Sequence, residues 1–449
     1  MLTTMTGPTQ YKSNNSRLVV GLIFLYGIVY EWLFFFYPID FGGTEFFYLT
    51  NLIKLGLPIV LIGIVGIPSF ELLNRKGALG LYAFFYLALI AWSCIPTIIF
   101  GTPVDVLKQI PRFLFFLAVT SLFMKNPGAI RSYAKMMGAV MLFTLAQYLG
   151  VYLFNAFDSG VSLVSGVTLA GPFGIFGNIT ARIFLPIFDL PLVRLTGFWN
   201  EPSNASACAF AAFFLLRYLF IIEHRTFWRY SSYCCLAAGL LCLSNAGYLA
   251  LGVALLFDVF FAKKKLSLRR FAGLVVRTSL SALLVFVALF GRQYVVLNYP
   301  GSYLLRAFVG IREVSLTSYY GPDQAYSGRI GLYKMVISTI TDNPLGVGLQ
   351  GIGSKGIDTS GSAPLLWLHL TGILGLVLLL LREAVLFSSA MHFAKQSTSS
   401  IYLVQAWIVV LVQHLSYGSW VTPNYLILAA AVLSMAAGVS RTVLRPKLI

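Results

Sequence analysis

The sequence predicts an all-α polytopic membrane protein of about 12 transmembrane helices with two long loops on the outer face. Three observations support this fold class. Of the 449 residues, 58% are hydrophobic and only 10% are charged, whereas roughly a quarter of the residues in a soluble domain carry charge. Apolar runs of membrane-spanning length recur along the chain. Lysine and arginine are concentrated in every second loop between these runs, which is typical of membrane proteins.

The predicted spans follow the apolar runs in chain order. The first run is too long for the hydrophobic part of a cleavable signal peptide, so we expect it to remain as a span. Two short runs meet at Ser-Asn-Ala-Gly (244–247), a turn signal, and form either two spans or one long kinked helix; we favour two. The predicted spans are residues 18–37, 53–70, 79–100, 106–124, 136–154, 205–222, 231–243, 248–262, 271–290, 365–381, 401–416 and 425–439.

The positions of the basic residues predict that both termini are cytoplasmic. The densest basic loop holds Lys263, Lys264 and Lys265 with Arg269 and Arg270, and we interpret it as a topology determinant that faces anionic lipid. The same interpretation covers the net charge of +17, so nucleic acid is not an expected partner. The segments that result are an N-terminal membrane bundle (1–154), a first outer loop (155–201), central membrane helices (202–291), a second outer loop (292–364) and C-terminal membrane helices (365–449).

The first outer loop ends in a segment that combines charge with a helix start. Residues 194–205 read Arg-Leu-Thr-Gly-Phe-Trp-Asn-Glu-Pro-Ser-Asn-Ala, between apolar runs in a chain where charge is scarce. Pro202 disfavours helical geometry at Glu201 and suits the first turn of the helix after it. We therefore expect the charged residues here at the membrane–water boundary, where ionisable groups are costly unless they have a function. The weakly amphipathic stretch 179–190 is expected to lie in the membrane interface.

The second outer loop is rich in basic residues, although the positive-inside rule predicts few on that face. They include Arg312, Arg329 and Lys334. After Arg329 the spacing predicts an amphipathic helix over 330–340, which ends at Asp-Asn-Pro-Leu-Gly-Val-Gly (342–348). The glycines predict a tight return of the chain towards the membrane, where backbone passes close to a ligand or another helix. No strand precedes them, so they do not indicate a dinucleotide site.

Arg194 and Arg329, on different outer loops, suggest a shared anion. Guanidinium groups bind phosphate oxygens bidentately, so we predict that the pair holds a lipid diphosphate whose tail runs between helices. The alternative is local pairing, of Arg194 with Asp189 or Glu201 and of Arg329 with Asp323.

Glu201 is the candidate general base, because a helix start capped by proline would hold its carboxylate near both water and an apolar wall. Its alternative role is to cap that helix. The catalytic candidates are thus Glu201, Arg194 and Arg329, and the candidate substrate-binding residues are Gly197, Asn200, Arg312, Lys334 and His369. A single histidine on an apolar helix is more often structural, which is the alternative for His369. The four histidines and five cysteines have no metal-ligand spacing, and we predict no metal and no cofactor.

Four pieces of the sequence follow one another in a recognisable order. The first is Arg-x-x-Gly-x-x-x-Glu-Pro-Ser before a span (194–203), and the second is the serine-centred turn between two short spans (244–247). The third is an outer-loop arginine before an amphipathic helix ending Asn-Pro-Leu-Gly-x-Gly (329–348), and the fourth is Gly-Ile-Leu-Gly at the head of a late span (372–375). Together they resemble the O-antigen polymerase/ligase superfamily (the Wzy-type polysaccharide polymerases and the lipid A-core O-antigen ligases).

The resemblance implies an α-helical membrane fold of the GT-C type. It also implies a glycosyltransferase that acts on undecaprenyl-diphosphate glycans at the outer face of the bacterial cytoplasmic (inner) membrane, without a nucleotide sugar or a metal. The expected reaction joins oligosaccharide repeat units into O-antigen or another surface polysaccharide. The implied partners are the lipid-linked substrates, the bilayer, a chain-length regulator and a flippase.

Two departures favour a polymerase over a ligase. Ligases of this superfamily carry a histidine motif about ten residues before the glycine pair, where this sequence has Thr-Ser-Gly-Ser-Ala (359–363), and His369 comes too late. The arginine that such ligases place after the serine of the turn is replaced by Asn245.

A transporter or flippase for lipid-linked sugars is the alternative from another functional class. It predicts inverted repeats and charges buried in the middle of spans. The ionisable residues that we assign to span interiors are scattered or near span ends, which does not favour transport. They are Glu31, Lys54, Arg217 and Asp258.

Overall fold

The computed structural model describes most of the predicted membrane helices and little of the two outer loops. The described residues are 21, 23, 26, 56–66, 77–100, 109–157, 182–185, 190–193, 195, 202–261, 268–298, 336–338, 340–348, 363–416 and 422–443. The helices, strands and contacts of the protein are given for these residues.

The described chain is mainly helical. The helices of the N-terminal part are α1 (Gly56–Val65), α2 (Ala78–Phe100), α3 (Gln109–Lys125) and α4 (Ala129–Phe157). Those of the central part are α5 (Pro202–Glu223), α6 (Thr226–Leu241), α7 (Asn245–Phe261), α8 (Leu268–Phe286) and α9 (Arg292–Asn298). The C-terminal helices are α10 (Ala363–Ala394), α11 (Thr398–Ser416) and α12 (Pro423–Val443). A π-helical turn, Val287–Gly291, separates α8 from α9.

The segment predicted as the first outer loop contains a short antiparallel hairpin. Strand β1 (Arg182–Leu185) pairs with β2 (Leu190–Val193), with Arg182 opposite Val193. The sequence pattern predicts only a weakly amphipathic interfacial stretch at 179–190. Pro191 is compatible with β2, because a two-stranded hairpin consists only of edge strands.

Four described helices are long and apolar enough to cross a membrane. They are Ala78–Ile99, Ser203–Glu223, Ala363–Ala394 and Thr398–Leu415, and up to five spans result if a bent pair counts as one. The prediction of a helical, multi-pass membrane protein is confirmed at this level. The predicted number of about 12 stays a prediction, since four further apolar helices are shorter over their described residues and most of the first predicted span lies outside them.

The bent pair lies where the sequence predicts two spans, 106–124 and 136–154. Helix α3 and the first part of α4 meet at a bend of 118°. The turn is short: the N–H of Asn126 bonds to the Leu122 carbonyl and that of Ala129 to the Asn126 carbonyl. The pair is therefore either one broken span or a re-entrant segment by length and composition.

Residues 226–261 form two helices, as favoured by the sequence. Leu243 between them has a φ of 47°, a left-handed conformation that stops an α-helix. The alternative of one long kinked helix is therefore wrong for this part of the chain.

Helix α5 lies at the centre of the described bundle, in contact with α4, α6, α7 and α11. Its first half is rich in small residues, and Ala205, Ala207, Ala209, Ala211 and Ala212 are all buried. Small side chains allow helix backbones to approach closely inside a membrane protein. Helices α2 and α10 pack on each other and keep large apolar side chains exposed, as expected of helices that face lipid.

Candidate functional site

One of the eight predicted site residues, His369, lies in the described chain. The positions of the other seven, and hence the separation of the two arginines, stay predictions. The seven outside the described residues are Arg194, Gly197, Asn200, Glu201, Arg312, Arg329 and Lys334. Leu195, which follows Arg194, and Pro202, which follows Glu201, are described. Their contacts show the surroundings of the predicted site.

The helix after Glu201 begins at Pro202, as the sequence predicts. A proline in the first helical position loses no hydrogen bond, because that N–H has no partner within the helix. In the next turn, the Ser206 hydroxyl donates to the Ser203 carbonyl at 2.8 Å. The Asn204 side chain accepts a hydrogen bond from the Gln413 amide of α11 at 2.5 Å. We name this N-terminal end of α5, residues 202–206, the helix mouth.

A second amide, just beyond the helix mouth, connects α5 to two more helices. Asn424, at the start of α12, accepts from the Tyr133 hydroxyl of α4 at 3.1 Å. Its Nδ2 donates to the Cys208 sulfur of α5 at 3.3 Å. Buried amides need partners, so these bonds hold α4, α5 and α12 in a defined register. The helix mouth is thus part of a polar cluster within an otherwise apolar bundle.

The serine-centred turn lies beside the helix mouth. Ser244 caps α7, since its hydroxyl accepts the N–H of Gly247 at 3.3 Å, and serine is a favoured helix cap. A Cβ atom on Gly247 would lie 2.2 Å from Ser206 Oγ, so glycine permits the close packing of α7 on α5. The N–H of Leu195, the residue after Arg194, donates to the Leu241 carbonyl at 3.1 Å. Two motif pieces that the sequence leaves about 40 residues apart therefore adjoin.

Gly247→Ala is expected to destabilise the protein by about 1–3 kcal/mol, because the added methyl overlaps Ser206 in a packed interface. Thermal unfolding in detergent measures this loss. Gly63→Ala is the matched control, since a Cβ there meets no atom within 4 Å. Adding Ser206→Gly to Gly247→Ala should recover part of the stability. Equal unfolding temperatures for the two alanine variants would contradict the close packing.

The third and fourth motif pieces also meet. Helix α10 is broken at Gly372, whose φ is 70° and ψ is −167°. The turn formed by residues 343–348 lies against this break, and the N–H of Val347 donates to the His369 carbonyl at 3.0 Å. The prediction that these glycines allow a close backbone approach to another helix is confirmed. His369 itself is buried in α10, and its substrate-binding role stays a prediction.

The structure contains a buried charge pair that the sequence pattern does not predict. Arg382 and Glu383 lie within α10, buried, with Arg382 Nε donating to Glu383 Oε1 at 2.9 Å. The Tyr425 hydroxyl of α12 donates to Glu383 Oε2. The guanidinium carbon lies 4.9 Å from the ring centre of Tyr86 and 5.7 Å from that of Tyr82, both on α2. These are cation–π distances.

The prediction that charges in spans are scattered or near span ends is therefore wrong for this pair. The predicted span stops at Leu381 because a charge comes next, but the helix continues to Ala394. The signal in the sequence was an adjacent Arg-Glu pair, neutral as a unit, with apolar residues on both sides. Arg217 is likewise not isolated: its guanidinium carbon lies 5.7 Å from the ring centre of Tyr233.

Within the described ranges, no group of three or more His, Cys, Asp or Glu side chains is arranged to hold a metal ion. No protein-family model, curated protein or solved structure matches this chain.

Proposed function

We propose that this protein is a polysaccharide repeat-unit polymerase of the bacterial cytoplasmic membrane, with a GT-C-like architecture. In the proposed reaction, a hydroxyl of one lipid-linked oligosaccharide attacks the anomeric carbon of another. A new glycosidic bond forms, the bond from that carbon to the diphosphate oxygen breaks, and undecaprenyl diphosphate leaves. The acceptor proton passes to Glu201, and Arg194 and Arg329 stabilise the charge that develops on the diphosphate.

The observation that carries this proposal is the packing of the serine-centred turn onto the helix mouth. The residues that frame the predicted site, Leu195 and Pro202, belong to or adjoin this packed region. Amide and hydroxyl groups of Asn204, Gln413 and Ser206 lie there among apolar helices. A polar cluster within an apolar helix bundle suits a substrate with a sugar head and a polyprenyl tail.

Deletion of the gene tests the function through the glycan that the cells attach to their surface. A polymerase predicts loss of long chains while single repeat units remain attached to the acceptor. Loss of all attached glycan would support the ligase alternative, in which finished glycan moves to a lipid or protein. An unchanged glycan profile would remove both enzyme proposals.

One observation favours the transporter or flippase alternative. Arg382 and Glu383 are charges buried within α10, and the same helix is broken at Gly372. Buried charges and interrupted helices occur together in secondary transporters. Transport of lipid-linked sugar into proteoliposomes, measured without an acceptor glycan, distinguishes the two classes. A polymerase is expected to show no uptake and to lengthen glycan only when both substrates are present.

Arg194→Lys and Arg329→Lys should each reduce polymerisation about tenfold or more, because lysine keeps the charge but loses the bidentate fork. The measurement is polymer length and amount at matched protein levels. Lys264→Arg, in the predicted cytoplasmic basic loop, is the control and should be neutral. Full polymer from either Arg→Lys variant would contradict the shared-diphosphate proposal.

The proposed orientation has both termini in the cytoplasm, so the two long loops face outward. Reporter fusions at Lys264 and at Ser318 should then report opposite sides of the membrane. Two fusions that report the same side would place the predicted catalytic residues away from the outer face and contradict the proposed site of reaction.

A further inference from the structure

The break in α10 exposes backbone groups that a continuous helix would satisfy. In an α-helix each N–H bonds to the carbonyl four residues earlier. The non-helical conformation of Gly372 interrupts this regular bonding where α10 bends. Unsatisfied backbone groups in an apolar bundle are costly, so broken membrane helices require other partners.

The turn at 343–348 supplies most of these partners. The Val347 N–H donates to the His369 carbonyl at 3.0 Å and the Gly348 N–H to the Leu370 carbonyl at 2.9 Å. In the other direction, the Ile373 N–H donates to the Pro344 carbonyl at 3.3 Å.

Helix α2 supplies the fourth partner. Trp92 Nε1 donates to the Thr371 carbonyl at 2.7 Å. The broken helix, the turn and α2 thus share one set of hydrogen bonds to the backbone.

Glycine is required where these three elements meet. Gly346 and Gly348 have φ of 85° and 77°, in the left-handed region. A Cβ atom on Gly346 would lie 2.5 Å from the Gly372 nitrogen, and one on Gly348 would lie 2.6 Å from the Pro96 carbonyl oxygen. Both obstacles are backbone, which cannot move aside as a flexible side chain can.

The turn also anchors the chain that comes before it. Val336 is buried, and residues 340–342 are helical up to the turn. Lys334 lies two residues before Val336, and Arg329 lies seven before it. Whatever fixes the turn therefore limits where these two basic residues can reach.

We propose that the turn at 343–348 is a docking clamp: by satisfying the break at Gly372, it fixes the point at which the chain that follows Arg329 and Lys334 meets α10 and α2. This inference rests on the proposed function for the role of Arg329, but not for the docking itself. Gly346, Gly348 and Trp92 are positioning residues in this scheme, since they act on the reaction through the segment that they fix.

Docking is tested first without any enzyme assay, by amide hydrogen exchange of the full-length protein in detergent. Gly346→Ala should lose protection in peptides containing Val347 and Gly348, by about 100-fold in exchange rate, while α5 and α11 keep theirs. Gly63→Ala is the matched control and should exchange as the native protein does. Unchanged protection in Gly346→Ala would overturn the clamp.

Polymer formation by the same variants tests positioning. A misplacement of about 1 Å at a reactive site can reduce a rate about 10²-fold, so Gly346→Ala should lose long chains at matched protein levels. Lost protection with normal polymer would make the turn merely structural and overturn the positioning role. If the native gene proves unnecessary for polymer, the proposed function fails while the exchange result still decides the docking.

A disulfide keeps the proposal testable if Gly346→Ala does not fold. Val347 and Leu370 lie next to each other across the hydrogen bonds of the clamp, so Val347→Cys with Leu370→Cys should form a disulfide on oxidation. A static clamp predicts that the oxidised pair polymerises within about twofold of the reduced pair. A loss of activity on oxidation, absent from both single variants, would mean that the turn must move and would overturn the proposal.

Discussion

Glu201→Gln is expected to slow polymerisation by about 10² to 10⁴, because the amide cannot accept the acceptor proton that a general base removes. Glu201 directly precedes Pro202, the first residue of α5. In this helix start, Ser206 donates to the Ser203 carbonyl and Asn204 accepts a hydrogen bond from Gln413 of α11. The measurement is the length and amount of surface glycan, with enzyme levels matched by immunoblot.

The competing role for Glu201 is helix capping, and the same variant separates the two. A cap role predicts a loss of at most about 1 kcal/mol in stability and nearly normal polymer. Glu223→Gln is a useful comparison, because Glu223 lies at the opposite end of α5 and bonds to Lys135 at 2.7 Å. Native polymer from Glu201→Gln would remove Glu201 from the catalytic residues and leave the two arginines as the proposed site.

Arg382→Met is expected to destabilise the protein by about 3–5 kcal/mol, since it leaves the buried Glu383 carboxylate without its cation. The lost interactions also include the contacts of the guanidinium with the Tyr82 and Tyr86 rings of α2. Because the pair connects α10 to α2 and α12, the loss should appear as a lower unfolding temperature and reduced accumulation in the membrane.

Two further variants show which part of this effect comes from the unpaired charge. Arg382→Met with Glu383→Leu should be more stable than Arg382→Met alone, because removing both charges also removes the desolvation cost. Tyr425→Phe should cost about 1–3 kcal/mol, as expected for one hydrogen bond to a charged group. A single Arg382→Met variant as stable as the native protein would contradict the buried pair.

If the variant with both Arg382→Met and Glu383→Leu is as stable as the native protein but no longer transports lipid-linked sugar or forms polymer, the pair has a functional role. Normal activity in that variant would make the pair structural. The result therefore also bears on the choice between the transporter and polymerase proposals.

Several local features could be predicted from the sequence because they depend on covalent geometry near one residue. Pro202 begins a helix, since its ring fixes φ and its missing N–H is not needed in the first turn. The Ser244 turn separates two helices, and the glycines near 346 allow the close backbone approach that the pattern predicted. Composition and the length of the apolar runs likewise predicted a helical membrane protein.

The tertiary structure decided what depends on neighbours far along the chain. Arg382 and Glu383 end a predicted span when read alone, because burying a charge is costly. In the fold they stay inside α10, because Tyr425 and the tyrosine rings of α2 are brought to them. The break at Gly372 also depends on distant partners, because the turn that shares three hydrogen bonds with it lies about 25 residues earlier. The cost of a buried charge or a broken helix is a property of the surroundings, and those surroundings are assembled only when the helices pack.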